Sequence, residues 1–203
     1  MRECDAVAHI QAAQVAGSPD FAGDITALPA TILGGENASA PHIMWSDRRF
    51  GASETIALEL AGVCRRYAAG LARTLQLGKT PQRVADTAKA VLEGMDAVLQ
   101  TVKPGVLAED VEAAWRKVIA RYGLKKQSRI GYSIGVAYPP DWGEHTISLR
   151  PGDKTMLAPG NVVHSILGMW MEDWGIEVSE TILVTGTGCE TLTKFPREIH
   201  VKS

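Results

Sequence analysis

No stretch of 18 or more apolar residues occurs in this sequence, so no segment is long enough to cross a bilayer as a helix. Three cysteines, Cys4, Cys64 and Cys189, are too few and too scattered for a disulfide framework or a zinc knuckle, and the expected setting is a reducing cytoplasm. Charge of one sign is scarce as well. With 21 Lys+Arg against 23 Asp+Glu, the formal charge of −2 leaves no cationic footprint for phosphates, and nucleic-acid and membrane partners are set aside. The opening residues MRECDAVAHIQAAQ carry acids where a secretory leader places a basic segment before an apolar one. What is present is 203 residues, 45% of them hydrophobic, enough for one domain burying roughly 70% of its unfolded surface.

Residues 1–16 suit a helix, and a Gly/Pro/Asp-rich stretch then leads to ITALPATIL at 25–33, an apolar strand edged by Pro29. Three short strands in a meander are expected at 54–62, 63–68 and 72–78. Thr80-Pro81 opens a helix with Val84, Ala88, Val91, Leu92, Met95 and Leu99 on one face. After the Pro104-Gly105 turn a second amphipathic helix runs near 108–122, with Trp115 in its core face and Gly123 as its stop. From 128 onward come short β segments: RIGYSIGVAY, a loop PPDWGEHTISLRPGDKT, NVVHSILGMW, WGIEVSETILVTG and CETLT. Strands, two helices, then strands predict an α+β fold, a curved antiparallel sheet backed by helices.

Several ionisable residues stand in apolar company. Alternation in IALELAG puts Glu59 on one face with Ala57 and Ala61, where a carboxylate is costly unless it is paired or functional. The bland alternative is an outward-facing glutamate on an exposed sheet surface. His164 in NVVHSI shares a face with Val162 and Ile166, the setting of an ordinary core histidine. In GIEVSE, Glu177 and Ser179 point one way and Glu180 the other.

The segments PHIMWSDRRF, LELAG, YAAGLARTLQLGK, RIGYSIGVAYPP, LRPGD, LAPGNVVHSI and EVSETILVTGTGCETLTKFPR resemble, in order and spacing, the catalytic domain of the creatinase and Xaa-Pro aminopeptidase superfamily. The resemblance covers nearly the whole chain and implies the pita-bread fold. Within it, GYSIGVAYPPDWGEHTISLRPGD and ILGMWMEDWGIEVSETILVT look most like the ectoine hydrolases, which open a cyclic amidine to an N-acetyl-diaminobutyrate. Relatives of this type carry an N-terminal domain ahead of the catalytic one. Residues 1–203 are therefore expected to be a single catalytic domain lacking that domain and its own first helix, and to pair as a homodimer.

Metallopeptidases of the superfamily hold two metal ions with two Asp, one His and two Glu. The resemblance places those ligands on Glu59, Gly70, Tyr132, Ile166 and Ser179, of which Glu59 alone ligates a hard cation well. No metal and no cofactor is expected. That loss fits an amidine, whose protonated carbon is already electrophilic without a Lewis acid.

The same resemblance makes Glu59 the catalytic carboxylate and His42, in SAPHIMWSD, the proton carrier at the substrate nitrogen. It brings His164 and Glu177 to the substrate. A zwitterionic substrate further calls for an arginine and an aromatic wall, for which Arg129, with Arg150 behind it, and Trp45, Tyr138, Trp142 and Trp170 are available. A creatinase-like amidinohydrolase, an Xaa-Pro dipeptidase homologue and an inactive binding module of the same fold remain as alternatives.

Overall fold

The computed structural model describes residues 1–202. Helix α1 (Glu3–Ala16) is followed by β1 (Thr31–Gly34) and a 3-10 turn over Gly35–Ser39. Next come β2 (Glu54–Cys64), β3 (Tyr67–Leu77), α2 (Gln82–Thr101) and α3 (Ala108–Ala120). The second half holds β4 (Gly131–Tyr138), β5 (Asp141–Ser148), β6 (Val162–Ile166), β7 (Met169–Trp170), β8 (Gly175–Ile176), β9 (Ser179–Val184), β10 (Cys189–Thr191) and β11 (His200–Lys202). The main sheet runs β1-β2-β3-β4-β6-β9-β10, with β5 beside β4 and β11 beside β3. Its pairings are antiparallel except β11 with β3, so the architecture is the expected α+β one.

Four local expectations are corrected. The first strand begins at Thr31 rather than 25, because Pro29 brings no N–H to a ladder and holds the preceding residue away from it. The three short strands of the meander are two long ones, joined at Arg65-Arg66, whose φ values of 50° and 71° make the two-residue turn that matches hairpin twist. DWGEHTIS is a strand, β5, rather than part of a loop; only Trp142 and Ile147 in it are buried, so its pattern reads as polar. The helices are slightly shorter than expected: Pro81, with ψ 145°, precedes the first turn of α2, and α3 ends at Ala120 ahead of Gly123 at φ 69°.

β3 and β4 share a single register pair, Tyr67 with Val136, so the sheet is two halves meeting at a seam. Side chains rather than ladder bonds close that seam. Ser179 Oγ accepts from the Ala72 N–H at 2.5 Å, Thr181 Oγ1 donates to the Gly70 carbonyl at 2.8 Å, and Thr74 Oγ1 donates to the Glu177 carbonyl at 2.9 Å. Helices α2 and α3 press Val91, Met95, Val111 and Trp115 onto Ile130, Leu149, Val163 and Ile182 of the second half. A smaller cluster of Ala61, Ala72, Tyr132, Ile134, Trp142 and Ile166 spans the two halves.

Arg73, 4% exposed, holds the seam from one side, donating to Glu180 Oε1 at 2.7 Å and to the carbonyls of Ser179, Phe195 and Pro196 at 2.6, 2.7 and 2.8 Å. Arg73→Met leaves Glu180 buried without its partner, and the expected loss of unfolding free energy is ~3–5 kcal/mol. Urea unfolding measures it, and limited trypsin digestion should show faster cleavage after Lys194 in the variant; equal midpoints for the two proteins would contradict this role.

Candidate active site

The alternation of β2 sets Ala57, Glu59 and Ala61 on one face, all buried, with Glu59 at 3% exposure. Glu59 Oε2 lies 3.7 Å from His42 Nε2, and Oε1 has no hydrogen-bond partner. Glu177 approaches from the other half of the sheet, just before β9. Its N–H donates to Thr74 Oγ1 at 2.8 Å, its Oε1 accepts from Trp170 Nε1 at 2.8 Å, and its Oε2 is again unpartnered.

Burial raises both carboxyls well above the usual carboxylate range. The charge of Glu177 raises Glu59 further, whereas the Trp170 N–H and the charge of Lys126 pull Glu177 back. Two buried acids, each with an idle oxygen, are an unfavourable pair that a cation entering beside them would stabilise.

His42 sits on the loop before β2 with φ at 60°, a conformation non-glycine residues adopt at some energetic cost. Its ring is 62% exposed, one edge to Glu59 and the rest to solvent. Desolvation of the inner edge lowers its pKa, Arg129 lowers it further and Asp141 opposes both.

Behind the carboxyl pair runs a hydrogen-bonded chain. Trp142 Nε1 donates to Tyr132 Oη at 2.5 Å, His164 Nδ1 is 3.2 Å from the same oxygen, and His164 Nε2 is 2.8 Å from Ser179 Oγ. The network assigns the tautomer: Ser179 donates to Nε2, and the Nδ1–H donates to Tyr132. His164 is wholly buried, which pushes its pKa down to about 3 and keeps it neutral. Burial, with the charge of Glu59 second, raises the Tyr132 phenol above its ordinary value.

These residues do not fit the paired metal centre of the superfamily. A Cβ on Gly70 would come within 2.8 Å of His164 Cε1 and 3.0 Å of both ring nitrogens, so the imidazole fills the space a ligand side chain at 70 needs. Tyr132 and Ser179 spend their hydroxyls on that same imidazole. Among the described residues no cluster of three or more His, Cys, Asp or Glu could hold a metal ion.

The remaining expected residues divide. Trp170 stands at Glu177, and Arg129 lies on the Tyr132 ring at 4.4 Å, near His42. Trp142 is 1% exposed and meets His164 edge-on at 6.1 Å, so it backs the site rather than walling it. Trp45 is displaced to the opposite face of β2, against Val7, Ile32, Ile56 and Leu58. Tyr138 is 63% exposed at the tip of the β4–β5 hairpin, under Arg66 at 5.2 Å, and Arg150 is exposed in the turn after β5. Trp45, Tyr138 and Arg150 are therefore not part of this arrangement. Sequence reasoning missed Lys126 and Asp141, which lie in polar runs that read as loop.

A concavity of about 650 Å³ lies elsewhere, between α1 and the β2–β3 hairpin, lined by Ile10, Phe21, Leu60, Val63 and Tyr67 among others. It contains no carboxylate, histidine or lysine, so the chemistry follows the carboxyl pair and not the volume.

Residues 1–186 match metallopeptidase family M24. The chain is 44% identical over 183 residues to the ectoine hydrolase of Halomonas elongata, which is 90% of this chain and 46% of that one. Among solved structures, dipeptidase PepE of Mycobacterium ulcerans superposes with a TM-score of 0.84 at 25% identity, covering 98% of this chain and 52% of its own. A dipeptidase of Pyrococcus horikoshii gives 0.88 at 22% identity, with coverage of 100% and 55%. The pita-bread fold expected from the motifs is thereby established, and the chain spans about half the length of the relatives it matches.

Proposed function

The chain belongs to metallopeptidase family M24, and we propose that it forms the catalytic part of a metal-independent hydrolase that opens a cyclic amidine, ectoine or hydroxyectoine, to an N-acetyl-2,4-diaminobutyrate. The observation that carries this reading is the buried Glu59, one oxygen idle and the other turned to His42. A buried acid pair receives a cation better than a neutral peptide, and the chemistry of the donor set supplies no Lewis acid for a peptide carbonyl. The 44% identity to an ectoine hydrolase supports the choice of substrate class.

In this reading the amidinium carbon lies beside the two carboxyls, and its charge draws them into their ionised forms. Glu59 provides the attacking oxygen, its own or that of a water it deprotonates, and the C–O bond forms as the C=N π pair moves to nitrogen. The ring C–N bond then breaks, and His42 passes a proton to the departing amine. Overall one water is consumed: its oxygen becomes the acetamide carbonyl, and both of its protons end on the departing nitrogen, which leaves as an ammonium group while the other nitrogen keeps its single hydrogen. Arg129 is the cation for the substrate carboxylate, and Trp170 the aromatic surface nearest the ring.

Purified protein incubated with ectoine should release acetyl-diaminobutyrate, followed by NMR, at a rate unchanged by EDTA. Turnover confined to Xaa-Pro dipeptides with added manganese or cobalt would overturn the reading.

A further inference from the structure

Lys126 lies on the linker between α3 and β4, in the run GLKKQSR, yet its side chain turns inward. Nζ donates to the Gly168 carbonyl at 2.5 Å and stands 3.6 Å from the centroid of the Trp170 ring. The same indole carries the Nε1–H that reaches Glu177 Oε1. Trp170 lies on Gly168 so closely that a Cβ there would come within 2.4 Å of Cζ2. One carbonyl, one ring and one ammonium thus lock together, and the indole N–H is left aimed at the carboxyl.

A lysine held this way is not placed for solubility, because taking an ammonium out of water is costly unless its charge is used. Burial lowers its pKa to about 7, and the charge of Glu177 opposes that shift. Resting on the function proposed above, we infer that Lys126 is a positioning residue, acting through Trp170 to fix Glu177 Oε1 and leave Oε2 free for the substrate cation.

The groups facing Glu177 give the sign of the effect. They are Lys126 and the Trp170 N–H, which lower it against the raising effect of burial, and Glu59 from β2, whose own carboxyl Glu177 raises in turn. His42 stands at Glu59 on the other side of the pair, with Arg129 and Asp141 acting on its ring. Removing the ammonium therefore moves Glu177 toward its protonated form, and the acid limb of turnover moves to higher pH.

The test compares Lys126→Met, which keeps the stem, with Lys126→Arg, which keeps the charge over the ring. In protein labelled with ¹³C-glutamate and without substrate, the Glu177 titration should rise by about 1 pH unit in the Met variant and return close to the parent in the Arg variant. Ectoine turnover at pH 6 should fall about 10-fold in the Met variant with the acid limb displaced by the same amount. Trp170→Phe, which keeps a ring under Lys126 but removes the N–H, should also raise the Glu177 titration and stands in should Lys126→Met fail to fold. An unmoved Glu177 titration in a folded variant overturns the inference, whatever the activity. A protein that never turns over ectoine yet shows the titration shift refutes the substrate and leaves the positioning role standing.

Discussion

Glu59→Gln is expected to reduce ectoine turnover at pH 7 by about 10³-fold or more and, at the same time, to make the protein more stable above neutral pH than its parent. Glutamine keeps the volume of the side chain and its place between Ala57 and Ala61, so the fold has no reason to change. What it lacks is the anion. In the free protein burial and Glu177 hold the Glu59 carboxyl toward its protonated form. An arriving amidinium reverses that balance, and only a residue able to release its proton can become the nucleophile or base.

The stability arm follows from the same shift. A carboxyl whose pKa is raised in the folded state keeps a proton that the unfolded chain has already released. Its contribution is therefore fully present below the ordinary carboxylate range and is lost as pH rises through the raised value. Urea unfolding between pH 5 and pH 8 should show the parent losing stability and the Gln variant losing less, the remaining slope belonging to Glu177. Unchanged turnover would remove Glu59 from the mechanism. Parallel pH curves would show that the carboxyl is not held protonated.

The elements that create this site were legible in the sequence wherever burial imposed a period. Alternation in IALELAG put Glu59 on the Ala57 and Ala61 face, where it lies, and separated Glu177 from Glu180, which the structure sends to opposite tasks. Where exposure erases the period, the reading failed. Strand β5 turns only Trp142 and Ile147 inward, and the hairpin turn at Arg65-Arg66 carries none of the Asn-Gly chemistry by which such turns are recognised. Trp45 illustrates a different limit. It stands three positions from His42 among the aromatic surfaces available for a zwitterionic substrate, but the loop crosses to the other face of β2 before reaching it. Lys126 could not have been found at all, because a polar run says nothing about which one of its cations bends inward onto an indole.

His42→Ala should leave ectoine bound, with KM changed by less than about 3-fold, while turnover falls by about 10²–10³-fold. The argument rests on where the ring stands rather than on its being a histidine. Glu59 is sealed from water at 3% exposure, whereas the His42 ring is 62% exposed and 3.7 Å away, so it is placed to carry protons between a buried acid and solvent. Its lowered pKa leaves the imidazole neutral at neutral pH, ready to take the proton that Glu59 gives up as the amidinium enters. The same proton is then at hand for the departing ring amine, so one residue closes the cycle that the carboxyl opens. Because the alanine variant loses a carrier and not a binding contact, added imidazole should restore part of the turnover, with a dependence on buffer pH that follows free imidazole. Its left-handed backbone at φ 60° strains alanine no less than histidine, so a fall in melting temperature too small to unfold the variant at the assay temperature is the only structural change anticipated. Wild-type turnover in His42→Ala, or a loss entirely in KM, would move the proton path to another group.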